Sequence, residues 1–237
     1  MKKSLPFIII IVVLAGVVGA SFMLLRGRGS SIKNSNSTFE TTLPATNASP
    51  GAKPSTGDSA GLTKPPNVKV SSPVVVEEYG DYQCPPCGQL YPELKQIELE
   101  YGKLVQIVFH HFPLTKMHKN ALMAAHAAEA ARNQSKFWEM HDKLYRNQKE
   151  WSELEDPKPV FVSYAHQLNL KIDEFNNDLL SNQIDQKISA DIQRGQSLGV
   201  TGTPTVFLDS HLLRYEATNA EGLRRGINIL LERKAGS

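Results

Sequence analysis

Cysteine is almost absent: Cys84 and Cys87 are the only two among 237 residues. That excludes a disulfide-stapled scaffold, which spreads several bridges over a short chain. A chain of this length, 41% hydrophobic and 21% charged, can bury a core without such help. Charge of one sign is missing as well. Lys and Arg total 26 against 24 Asp and Glu, and no basic stripe appears, so the chain has no nucleic-acid footprint.

Long apolar runs are missing too, with one exception. Lys2 and Lys3 precede an uncharged run from Phe7 to Leu25, which as a helix would measure about 28 Å, the thickness of a bilayer core. A retained membrane anchor over residues 1–25 is one reading. A cleaved signal peptide ending at Val18-Gly19-Ala20 is the other, and Phe22 to Leu25 argue against it by carrying the apolar run past that point. Arg26, Arg28 and Lys33 balance the leading lysines, so charge leaves the orientation open. No cysteine follows the run to carry a lipid. From 26 to 66 the large apolar residues are only Ile32, Phe39, Leu43 and Leu62. Such a stretch cannot offset its ordering entropy and is expected to be a disordered tether with a reach of roughly 35 Å.

After Pro73 the texture changes. "VVVEEY" is a short β-branched run, the cysteine pair follows, and Leu90, Leu94, Ile97 and Tyr101 recur at helical spacing. "KLVQIVFHHFPL" predicts a second strand, making a parallel βαβ unit. From Met117 to Leu198 no strand is predicted; "NALMAAHAAEAAR", "KFWEMHDKLYRNQ", "PVFVSYAHQLN", "KIDEFNNDLL" and "QIDQKISADIQRGQSLG" all read as helices. "TPTVFLDS" and "HLLRYEA" then suggest a hairpin-like strand pair, and "AEGLRRGINILLERK" a closing amphipathic helix. The expected order is βαβ, a helical block, then ββα.

Two cysteines separated by two residues can bridge each other, hold half of a zinc site, or exchange electrons. Zinc needs two more ligands. His110 and His111 are adjacent on a strand, so they point to opposite faces and read as strand-end or surface residues; no metal is expected. A purely structural bridge is weak because so small a loop removes little unfolded-state entropy. Redox exchange needs a stabilised thiolate on an exposed cysteine and a second thiol to resolve the mixed disulfide. If the helix begins about Cys84, its unpaired N–H groups and dipole point at that sulfur and lower its pKa from about 8.5 toward ~3.5–7. Pro85 and Pro86 suit a first helical turn. Cys87, one turn in, is shielded and placed to resolve. A further feature, "GVTGTPTVF", sets Thr203-Pro204 between a glycine-bearing turn and a strand.

Together "EYGDYQCPPC", "HHFPL", "AAHAAEAARNQSKFWEMHDKLY" and "GVTGTPTVF" resemble, in content and order, the DsbA-like branch of the thioredoxin-fold superfamily. The resemblance runs from about Val70 to the C-terminus. It implies an α/β thioredoxin fold over 67–237, with a helical domain inserted at about 115–198. It implies Cys84 as nucleophile, Cys87 as resolving thiol, and Pro204 as a cis-proline facing the disulfide, with Thr203 presenting backbone groups to an extended substrate. Glu78 falls where the family places a buried acid near the second sulfur, although a plain strand-end acid is the alternative. Phe137, Trp138, Met140 and Leu144 are expected in the helical core rather than against substrate.

The expected activity is protein thiol–disulfide exchange, as an oxidant that donates the Cys84–Cys87 disulfide to folding proteins outside a bacterial cytoplasmic membrane, with the single-pass anchor holding the catalytic domain on the extracytoplasmic, periplasmic side. No cofactor is called for. Thiol-containing secreted or periplasmic proteins are the expected substrates, and a quinone-linked membrane protein the expected oxidant by family analogy. The Pro-Pro pair, where the strongest oxidants of the family have Pro-His, leaves the direction of electron flow open. A reductase or isomerase on the same fold is the nearest alternative. A noncatalytic tethered module that holds unfolded chains is another.

Overall fold

Alternation along β1 (Val74–Gly80) sends Val74, Val76 and Glu78 to one face and Glu77 and Tyr79 to the other. In the computed structural model, which describes residues 68–236, β1 is covered on both faces and lies inside a four-stranded sheet. Helix α1 (Pro85–Tyr101) follows it and leads to β2 (Val105–His111). β1 and β2 are parallel, in a register that sets Glu78 beside Phe109. β3 (Thr205–Leu208) adds antiparallel to the other side of β1, and the two-residue β4 (His211–Leu212) completes the order β2-β1-β3-β4.

One face of the sheet is packed by α1 and by α8 (Ala220–Ala235). Leu90, Leu94 and Ile97 of α1 meet Val74, Val76, Val206 and Leu208, with Leu223, Ile227 and Leu231 of α8 beside them. The last three are fully buried, each contributing about 1.5–3 kcal/mol relative to exposure. This packing fixes the N-terminus of α1 at the carboxyl end of β1, where the cysteines sit.

Between β2 and β3, among the described residues, there are only helices: α2 (Ala121–Arg132), α3 (Phe137–Arg146), α4 (Gln148–Trp151), α5 (Lys158–Gln167), α6 (Ile172–Asp178) and α7 (Asn182–Ser197). Alanines bury most of α2, so neighbouring helices approach closely around Met140, Leu144, Trp151, Phe161 and Phe175. α7 returns across the opposite face of the sheet. There Asp191 accepts from the backbone N–H of His111 at 3.1 Å and lies 3.2 Å from His110 Nδ1, while Arg194 donates to Glu77 at 2.7 Å and to the Tyr79 hydroxyl at 3.0 Å. This is the thioredoxin fold with a helical insertion.

Some expectations hold and others need correction. "KFWEMHDKLYRNQ" is a helix as expected, α3, which stops at Arg146, where Asn147 turns its amide onto the Lys143 carbonyl at 2.8 Å, and α4 begins at Gln148. "HLLRYEA" pairs only over His211–Leu212; Tyr215–Ala217 is a turn of 3₁₀ helix. Phe137, Met140 and Leu144 are buried as expected, but Trp138 is 40% exposed. His110 and His111 end β2, as expected; the His111 side chain is 1% exposed and its Nε2 lies 2.7 Å from Glu129. The expected anchor and tether, 1–25 and 26–66, lie outside the described residues. Among the described residues, no helix is long and apolar enough to cross a membrane.

Candidate active site

Cys84 is the N-cap of α1, in extended conformation, with Pro85 at the first helical position. Its N–H donates to the Asp81 carbonyl, and its own carbonyl accepts from Gly88 N–H, each at 3.1 Å. Gln148 of α4 clamps this turn from outside, donating to the carbonyls of Tyr82 at 2.7 Å and Cys84 at 2.9 Å. An N-cap side chain ordinarily accepts from the second or third helical N–H. Pro86 has removed the second, so the Cys87 N–H is left for the Cys84 sulfur.

Both cysteines are unbridged and their environments differ. The Cys84 thiol is lowered to about 6, chiefly by the hydrogen bond from the Cys87 thiol; burial opposes this, and the Thr203 side chain and Cys87 N–H add to it. The Cys87 thiol is pushed well above its ordinary value, first by burial, then by the Cys84 sulfur and the Glu78 carboxylate. Cys84 is less exposed than expected, at 4%, because the Thr203 loop covers it: Cys84 Sγ donates to the Thr203 carbonyl at 3.4 Å. The Thr203–Pro204 bond that follows is cis. A groove of about 340 Å³ runs from this loop to Arg214 and Tyr215.

Glu78 enters the site from beneath. Strand alternation turns it toward α1, where it is 2% exposed. Burial, and secondly the charge on Cys84, raise its carboxyl to about 8. Among the described residues no group hydrogen-bonds its Oε1. Gly80, two residues on, has no room for a side chain, since a Cβ would run into the Phe109 ring and come within 3.0 Å of that same Oε1. The five residues singled out from the sequence, Glu78, Cys84, Cys87, Thr203 and Pro204, are therefore gathered at one place by three separate segments.

Sequence reasoning missed two supports. Asp81, buried, accepts from Gln83 N–H at 2.7 Å and Leu114 N–H at 2.8 Å, and lies 2.7 Å from His118 Nδ1, so it ties the cysteine loop to the segment after β2. Beneath Cys87 is an aromatic box of Tyr82, Phe109, His141 and Tyr145. His141 Nδ1 meets the Tyr82 hydroxyl at 3.1 Å, and burial lowers His141 to about 3, keeping it neutral. The spacing Phe137, His141, Tyr145 on one face of α3 was the available signal. His110 and His111 diverge to Asp191 and Glu129, and among the described residues no group of three or more acidic, His or Cys side chains could hold a metal.

Comparison with known proteins agrees with this architecture. The thioredoxin family model matches residues 69–228. A probable disulfide bond formation protein D of Bacillus cereus is 36% identical over 152 residues, covering 61% of this chain and 69% of that protein. The chain also matches a Na(+)/H(+) antiporter NhaA 3 of Salinispora tropica, at 39% identity over 138 residues, 58% of this chain but only 20% of the antiporter's length. Among solved structures, oxidised BdbD from Bacillus subtilis superimposes with a TM-score of 0.61 at 20% identity, over 70% of this chain and 91% of that one. By the sequence match along most of its described length, and by the fold that match implies and the structure displays, the chain belongs to the thioredoxin family.

Proposed function

We propose that the chain is a membrane-tethered oxidant, exchanging its Cys84–Cys87 disulfide with thiols of extracytoplasmic proteins. One observation carries this reading: the two sulfurs are made unequal, with Cys84 lowered to about 6 and Cys87 raised. A substrate thiolate attacks Cys84 Sγ, the S–S bond breaks, and its electron pair leaves on Cys87. Glu78, protonated up to about pH 8, supplies the proton that Cys87 takes. A second substrate thiolate then attacks the substrate sulfur of the mixed disulfide. Cys84 departs as a stable thiolate, and the substrate leaves oxidised. Stabilising the Cys84 thiolate stabilises the reduced protein, which makes its disulfide a stronger oxidant. That favours oxidation over the reductase or isomerase alternative.

The Thr203 carbonyl against Cys84, and the groove beside Pro204, support backbone pairing with an extended peptide, hence little sequence selectivity. The apolar run Phe7 to Leu25 supports a single-pass anchor with this domain outside the cytoplasm, where a disulfide donor is not reduced by glutathione. A quinone-linked membrane protein would reoxidise the pair. Replacing Cys87 with Ser should trap mixed disulfides in cells, through Cys84, on secreted proteins. A potential of about −120 to −180 mV is expected; one near about −270 mV would make it a reductase. If Cys84→Ser leaves all activity intact, the redox reading is wrong and a binding module remains.

A further inference from the structure

A sulfur that works as an anion has an acid for a neighbour. Asp81 stands just before the cysteine turn with its side chain 0% exposed, and its charge raises the Cys84 thiol against the donors that lower it. Left bare, that charge opposes the chemistry of the site.

The Asp81 carboxyl is met by donors. Gln83 N–H donates to Oδ1 at 2.7 Å, Leu114 N–H donates to Oδ2 at 2.8 Å, and His118 Nδ1 lies 2.7 Å from the same Oδ2. Such a set suits a carboxylate, and it assigns a proton to His118 Nδ1. The Asp81 backbone serves the other side: its carbonyl accepts from Cys84 N–H at 3.1 Å and from the Tyr145 hydroxyl at 3.5 Å. One residue therefore fixes the Cys84 turn with its backbone and ties that turn to the segment after β2 with its side chain.

His118 is itself held in place. Its N–H donates to the Leu114 carbonyl at 2.9 Å, and its carbonyl accepts from Ala121 N–H, at the start of α2, at 3.2 Å. Its ring is 18% exposed, so it meets solvent as well as Asp81. Of the flanking lysines, Lys119 is drawn to Glu155 at 2.9 Å and Lys116 is exposed. From α3 comes Tyr145, whose hydroxyl burial keeps protonated; the Glu78 charge acts on Cys87. Among the described residues, His118 is the cationic side chain in contact with Asp81.

We infer that Asp81 and His118 are a positioning pair that sets how readily Cys84 leaves as a thiolate: the carboxylate pins the turn, and the His118 imidazolium offsets the charge that the carboxylate presents to the sulfur. The inference rests on exchange through Cys84 and Cys87 but on neither direction of electron flow. When a thiolate breaks a mixed disulfide at Cys84, the S–S electron pair leaves on Cys84 Sγ. With His118 charged, that new anion meets an ion pair rather than a bare carboxylate. Asp81 and His118 form no bond to substrate and give up no proton.

Removing the two members should have opposite signs, which is read in reduced protein. Thiolate absorbance and alkylation at graded pH give the Cys84 midpoint, and equilibration with glutathione gives the oxidising strength. Asp81→Asn should lower the midpoint by about half a unit or more, which makes the disulfide about threefold more oxidising in that equilibrium. His118→Gln keeps a donor but loses the charge; it should raise the midpoint by a similar amount, and His118→Lys should bring it back. Ring ¹⁵N NMR should show His118 as imidazolium at the Cys84 midpoint of about 6. A pair that only props up the loop would give one sign for both, each midpoint rising toward that of a free cysteine. That result, an unmoved midpoint in His118→Gln, or a neutral His118 ring at that pH overturns the inference. Should Asp81→Asn not fold, the glutamine and lysine replacements of His118 decide. Failure of the unaltered protein to exchange disulfides with peptides would sink the exchange reading instead, and the Cys84 titrations would be untouched by it.

Discussion

The unequal thiols follow from position alone. Cys84 caps a helix and collects donors; Cys87, one turn in, is wrapped by the aromatic box with a buried acid beside it. With Cys84 at about 6, roughly nine-tenths of it is thiolate at pH 7, against a few per cent for a free cysteine. Alkylation at graded pH should therefore modify Cys84 with a midpoint near 6, while Cys87 stays inert until strongly alkaline pH. Faster labelling of Cys87 would reverse the assignment. This much was legible from the residues, because a helix start at about Cys84 in "QCPPC" and the burial of the second cysteine one turn later are local matters. Glu78 was legible only through the family resemblance. Asp81, His118 and His141 were not legible: their roles come from partners 33 to 64 residues away or from a box assembled by α3, and no local pattern encodes such meetings.

At the scale of the element, the first turn of α1 is the tuning device. Two prolines preorganise the turn and also delete two N–H groups at the positive end of the helix. Only the Cys87 N–H is left to the N-cap sulfur, so the helix stabilises the thiolate less than it could. Pro86→Ala restores the second-position donor. An N-terminal donor of this kind is worth about 0.3–1 kcal/mol, so the Cys84 titration should move down by roughly 0.2–0.7 units and the disulfide should become more oxidising. An upward movement would show that proline rigidity, not donor count, governs the site. The regular elements were the most readable part of the sequence, since α1 and α8 carry apolar residues at steady helical spacing. The exceptions have physical causes. Asn147 ends α3 by a side-chain bond that periodicity does not register, and β4 stops after two residues although Leu213 N–H still reaches the Val206 carbonyl at 2.8 Å.

For the whole molecule, the shifted groups couple protonation to folding with opposite signs. Glu78 is raised from 4.5 to about 8, so the folded state holds that proton longer than the unfolded chain, and stability falls as pH rises from about 4.5 to 8. Cys84 is lowered from 9.0 to about 6, so its contribution is full above 9 and is lost as pH falls toward 6. Each is worth a few kcal/mol. Only the reduced protein has the Cys84 term, while His141 and the low carboxylates of Glu100 and Glu129 titrate in both forms and cancel from their difference. The stability of the reduced form relative to the oxidised form should accordingly rise between pH 6 and 9 in urea titrations. The reduction potential must carry the same information. Below pH 6 two electrons arrive with two protons, a slope of about −59 mV per unit; above it Cys84 stays ionised and one proton suffices, about −30 mV per unit. Because the Cys84 charge helps to raise Glu78, reduction also draws a fraction of a proton onto that carboxyl short of pH 8, making the wild-type slope there somewhat steeper than −30. Glu78→Gln removes this uptake, so its slope should settle at about −30 mV per unit from pH 6 to 8 and its stability should lose the decline with pH. Potentials equilibrated against glutathione from pH 5 to 8 measure this directly, and a wild-type slope of about −59 mV per unit throughout would show that Cys84 is not the depressed thiol.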